Sequence, residues 1–114
     1  MYTIKSRIWI EGEAGVFLGY GRVSLLRFIH TEGSLSKAAK KMQISYKKAW
    51  SLIDSMNQNA KEPVVITVTG GNNGGGTFVT PYGLDMMNKF EAINKKCMAF
   101  LKDEIETLTS TDEH

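Results

Sequence analysis

The sequence predicts one α+β domain, mainly α, spanning residues 1–114. Three observations carry that expectation. Apolar and polar residues alternate near the N-terminus, the period-2 rhythm of a half-buried strand. From 22 to 59, and again from 82 to 108, apolar residues recur every three or four positions, as on a helix face turned to a core. Between those stretches lie a β-branched run and a run of glycine, the pattern of a hairpin.

Size and composition bound what such a chain can be. At 114 residues and 12.7 kDa, a single small core is expected. The hydrophobic fraction of 42% and charged fraction of 23% are ordinary for a globular chain and exclude a disordered or collagen-like one. No apolar run approaches the ~18 residues of a membrane span, and the N-terminus has no secretory pattern. Cys97 is the one cysteine, which excludes an internal disulfide and a cysteine-based zinc site. A cytoplasmic protein is the expectation.

Taken in order, residues 4–18 read as a hairpin. Ile4, Ile8 and Ile10 line one face of its first strand, and Val16, Phe17 and Leu18 return after a Glu-Gly-Glu-Ala-Gly turn. Residues 22–59 read as three helices. Val23, Leu26, Phe28 and Ile29 form the first stripe, and Gly33 stops it at a position of positive φ. Ser34 caps a short second helix with Leu35, Ala38, Ala39 and Met42 inward. Ser45 caps the third, with Ala49, Ile53 and Met56 inward. Trp50 flanks that stripe and is expected in the core. Asn57, Gln58 and Asn59 are poor helix formers that suit its end. Residues 63–80 read as a second hairpin with a glycine-rich tip.

Pro81 opens the last element. Leu84, Met87, Phe90, Ile93, Cys97, Phe100, Leu101, Ile105 and Leu108 share one stripe over 82–108, roughly 25 residues or ~38 Å of helix. A domain this small cannot cover so long a stripe. Its first eight members are therefore expected to pair with a second copy of the chain across a two-fold axis.

Charge is small in total, at +2, but uneven. Lys37, Lys40, Lys41, Lys47, Lys48 and Lys61 fall between residues 34 and 61 against one acid, Asp54, whereas the C-terminal tail is acidic. An anionic partner near the middle of the chain fits this asymmetry. So does the architecture. Helix, tight turn, helix is the skeleton of a DNA-reading helix-turn-helix. Ala38 and Ala39 are small where two helices meet, and Ile44 is apolar in the turn. Ser45 leaves the next helix's N-terminus able to face phosphate. Tyr46, Lys47 and Ser51 project from its first turns, where base edges are met. The glycine-rich hairpin after it has the place of a wing.

The segment GSLSKAAKKMQISYKKAW (33–50) resembles the helix-turn-helix of LysR-type regulators, and more closely that of the molybdate-responsive regulator (ModE) family. RIWIEGEAGVFLGYGRVSLLRFI (7–29) and MNQNAKEPVVITVTGGNNGGGTFVTPYG (56–83) agree, so the resemblance covers about residues 4–95. It implies a winged helix-turn-helix with an N-terminal hairpin, dimerised through the long helix and bound to double-stranded DNA. It carries the family's DNA-contacting positions onto Ser36, Lys37, Ser45, Tyr46, Lys47, Lys48 and Ser51. The wing, with Gly71, Asn72, Asn73 and Thr77, joins them. Full-length members add molybdate-binding domains after this part. The sequence ends at His114, so molybdate sensing is not expected.

Other chemistries find little support. The 70–76 glycine run lacks the Gly-Lys-Ser/Thr end of a phosphate loop and leads into a strand. His30 and His114 have no further ligand partners in sequence, so neither metal nor cofactor is expected. No nucleophile–base set appears, and an enzyme is not expected. Cys97, on an apolar stripe, is expected to be buried rather than redox-active. Two alternatives remain open: a winged-helix protein-interaction module without DNA binding, and an oxyanion binder using the glycine-rich loop.

Overall fold

The computed structural model describes residues 1–70 and 75–112. Its elements are β1 (Trp9–Gly12), β2 (Gly15–Gly19), α1 (Tyr20–Glu32), α2 (Leu35–Met42), α3 (Tyr46–Gln58), β3 (Val65–Val68), β4 (Gly76–Val79) and α4 (Pro81–Asp112). The α+β, mainly helical class read from the sequence is the class observed.

β1 and β2 form an antiparallel hairpin with a bulge between Ile10 and Glu11. The first strand is shorter than its alternating pattern predicts. Trp9 pairs with Gly19, and α1 begins at Tyr20, so residues 4–8 have no strand to pair with. They run beside α4 instead: the Ser6 hydroxyl donates to Met98 Sδ at 3.1 Å and lies 3.9 Å from Cys97 Sγ.

Local chemistry sets the helix ends. Gly33 closes α1 at φ 65°, a conformation glycine adopts without Cβ strain, and its N–H bonds to the Ile29 carbonyl at 2.8 Å. The Ser34 hydroxyl accepts from Lys37 N–H at 3.2 Å and starts α2; the Ser45 hydroxyl accepts from Lys48 N–H at 3.0 Å and starts α3. Each such cap stabilises its helix by about 1 kcal/mol. Between them the chain turns at Gln43, left-handed at φ 58°, with Ile44 packed against the core.

The three helices enclose Leu25, Leu26, Ile29, Ala38, Ala49 and Met56, all fully buried. Asn57 and Asn59 do more than end α3. The Asn57 amide accepts from Val64 N–H at 2.8 Å and donates to the Val65 carbonyl at 3.2 Å, which fixes the start of β3. The Asn59 carboxamide accepts from Ala14 N–H at 2.8 Å and so ties down the first hairpin's turn.

β3 and β4 pair antiparallel, Val65 with Val79 and Val68 with Gly76. Thr80 then caps α4. Its hydroxyl accepts from Gly83 N–H at 2.9 Å and donates to the Pro63 carbonyl at 2.7 Å. Gly83 sits so close to the Val64 carbonyl that any Cβ would collide with backbone.

α4 has 32 residues, or about 48 Å, longer than the 82–108 of the sequence reading. Only its first part belongs to the domain. Met87 and Phe90 are each 3% exposed, within the core, and Arg27 pairs with Glu91. Met87 and Phe90 are therefore corrected from interface to core residues: they face α1 and the hairpins, which use up the first three turns of the stripe. Leu84 is half-buried against the same core. Further along, Ile93 is 51% and Phe100 62% exposed, and Leu108 is also exposed. Cys97 is half-buried beside Ser6, not enclosed as expected, because only the thin N-terminal segment covers it.

Candidate nucleic-acid interface

The candidate surface is built on α2 and α3. At 3.6 residues per turn, Lys47 and Ser51 stand on the side of α3 opposite its buried Ala49, Ile53 and Met56. Tyr46 and Trp50 occupy one flank of that outward face, and Lys48 and Leu52 the other. Ser36 and Lys37 are exposed on the first turn of α2. Ser36, Lys37, Ser45, Tyr46, Lys47, Lys48 and Ser51 are all exposed, as a surface contact requires.

None of those lysines is neutralised by another described residue. The described ion pairs are Arg27–Glu91, Lys41–Glu32 at 3.8 Å and Lys89–Asp85 at 3.0 Å, so among the described residues Lys37, Lys47 and Lys48 have no carboxylate partner. Neither α2 nor α3 carries an acid in its first turn. Both helices thus present a positive end and free lysines together, a combination suited to phosphate.

Trp50 corrects the sequence reading. It is 42% exposed, and its indole N–H donates to the Tyr46 hydroxyl at 3.1 Å. Ala49, one position earlier, takes the core-facing place, and a helix turns about 100° per residue, which carries Trp50 out of the core. The two aromatic rings form one exposed amphipathic patch beside Lys47. Asp54 shares the outward face and accepts from Gln58 Nε2 at 3.0 Å. In the sequence Asp54 stands out only as a charge, and its spacing of seven from Lys47 is the signal that places it on this face.

Thr77 is a second correction. It is 6% exposed, and its N–H donates to the Gly33 carbonyl at 3.3 Å. Alternation along β4 turns Thr77 and Val79 inward and leaves Phe78 outside. The Thr77 side chain is therefore unavailable to a phosphate. Gly71, Asn72 and Asn73, the expected wing tip, lie outside the described residues. The outer face of the hairpin carries Ile66, Val68 and Phe78, all exposed.

No group of three or more His, Cys, Asp or Glu side chains comes together among the described residues. No described helix is long and apolar enough to cross a membrane.

No protein-family model matches the chain. Individual proteins do. Over 94% of its length the chain is 36% identical to 41% of the molybdenum transport protein ModE of Azotobacter vinelandii. Over 96% it is 36% identical to 44% of the transcriptional regulator ModE of Haemophilus influenzae. Over 73% it is 40% identical to 33% of the DNA-binding transcriptional dual regulator ModE of Escherichia coli K12. The chain thus spans less than half the length of these curated relatives. Among solved structures, ArgP from Mycobacterium tuberculosis matches 73% of this chain and 30% of its own, with a TM-score of 0.50 and 15% identity, a likeness of fold.

Proposed function

From its kinship with the ModE regulators, which extends over nearly the whole of the chain, we propose that this protein is a DNA-binding transcriptional regulator. α3 enters the major groove, and Tyr46, Lys47 and Ser51 meet base edges or adjacent phosphates. Ser36, Lys37, Lys48 and the α3 N-terminus hold the backbone. The observation that carries this reading is that Lys37, Lys47 and Lys48, on the two Ser-capped helices, have no carboxylate partner among the described residues, in a relative of proteins named as regulators. Affinity then derives mainly from lysine–phosphate neutralisation and falls steeply with salt.

The regulator acts as a homodimer. Support comes from α4 beyond Phe90, where Ile93, Phe100 and Leu108 remain exposed at helical spacing. A two-fold axis there places two α3 helices on one duplex, with half-sites about 34 Å apart or a multiple of that. The operator is accordingly a partial palindrome.

Fluorescence anisotropy against labelled duplexes, at several salt concentrations, tests both points. Retention of binding by a Lys47→Glu/Lys48→Glu variant would refute the assignment of α3.

A further inference from the structure

A cavity of about 430 Å³ opens where the N-terminal segment, the start of α1 and the flank of α3 meet. Arg7, Arg22 and Lys48 line it, together with apolar Ile8, Trp9 and Leu52. Its volume lies in the ~300–1,000 Å³ range of small-molecule sites, which pair mostly apolar walls with a few placed polar groups.

The lining of this cavity is cationic, and the Trp9 indole N–H donates to Glu11 Oε1, outside that lining, at 3.3 Å. No aspartate or glutamate is among its lining residues, and none of the three cations has a carboxylate partner among the described residues. Arg22 is the least solvated. Its Nη2 donates at 3.4 Å to the neutral Ser55 hydroxyl, and its buried Nε has no acceptor. Burial pulls its pKa below the ordinary arginine value. α1 also begins at the cavity, with Gly19 as an N-cap that offers no side-chain acceptor, so its first N–H groups add positive potential. A bare phosphate of a duplex would satisfy the cations but leave Ile8, Trp9 and Leu52 uncovered. A carboxylate on an aromatic body satisfies both.

We propose that this cavity binds a small aromatic carboxylate, held by Arg7, Arg22 and Lys48 with its ring against Ile8, Trp9 and Leu52. Lys48 borders both this cavity and the proposed DNA surface, whereas Arg7, Arg22 and Trp9 belong to the cavity alone; binding is measurable without DNA through Trp9, so the proposal is tested separately from the DNA reading.

Indole signals in ¹H–¹⁵N spectra give the test, because the chain has two tryptophans and only Trp9 lines the cavity. Phenylacetate is the probe, phenylacetamide its neutral counterpart, and Trp9→Phe assigns the peak. Phenylacetate is expected to shift the Trp9 signal saturably while Trp50 stays still, and the amide to bind at least about tenfold more weakly. Arg22→Gln should cost a similar factor, and so should Arg7→Gln, where the side chain has no carboxylate partner among the described residues. Equal responses to acid and amide, parallel shifts of both indoles, or no Trp9 shift would overturn the proposal. So would Arg7→Gln and Arg22→Gln weakening duplex binding while Trp9 ignores phenylacetate; the cations would then serve the DNA backbone.

Discussion

The Trp50 indole N–H donates to the Tyr46 hydroxyl at 3.1 Å on the exposed side of α3, one turn apart. Two large aromatics are thereby fixed against each other outside the core. Such a pair carries conformational order to a surface that otherwise presents flexible lysine chains. An ordered aromatic edge suits contact with a thymine methyl group or a deoxyribose.

Tyr46→Phe removes the acceptor and keeps the ring, so stability should change by less than about 1 kcal/mol. Discrimination between specific and nonspecific duplex should fall several-fold in competition anisotropy. Unchanged discrimination would mean that the pair does not read bases.

The lysines should act differently. Lys47→Ala and Lys48→Ala are each expected to weaken binding to every duplex alike and to lower the slope of log K against log salt by about 1. A salt titration of each variant checks this. Asp54→Asn should act in the opposite direction and raise nonspecific affinity, because it removes a carboxylate from the outward face of α3.

Asn57 provides a test of the fold. Its carboxamide makes two part-buried hydrogen bonds to the backbone at Val64 and Val65, and Asn57→Ala leaves both backbone groups unpaired. A loss of about 2 kcal/mol is expected, seen as a fall in Tm of roughly 8–16 °C for a domain near this size. Asn57→Asp, which keeps one acceptor, should lose less.

The long helix makes a separate prediction. Ile93→Asp/Phe100→Asp alters two exposed residues that lie outside the core. Light scattering should show the parent as a dimer and the variant as a monomer with unchanged helicity. A parent that is already monomeric would refute dimerisation through this face.

Much of this fold is legible in the sequence, because its helix boundaries are marked by local chemistry. Ser34, Ser45 and Gly33 act through groups within four residues of themselves, and each performs the expected task. What depends on distant partners is harder to read. The alternation of Ile4, Ile8 and Ile10 is a valid strand pattern, but Gly19 ends the partner strand and leaves residues 4–8 without one. Trp50 has the hydrophobicity of a core residue, yet one helical step places it outside. Met87 and Phe90 share a stripe with Ile93 and Phe100, and periodicity alone cannot tell where the domain stops covering it. The outward lysines and serines of α3 are legible for the same reason as the caps: their exposure follows from the buried stripe behind them.

The most direct test of the central claim is the salt-dependent anisotropy of the protein with duplexes from its own upstream region, beside the Lys47→Glu/Lys48→Glu variant. Tight binding that resists competitor DNA, weakens steeply with salt and disappears in the variant is the result expected. A folded dimer that binds no duplex at low salt, or a variant that binds as well as its parent, would contradict it.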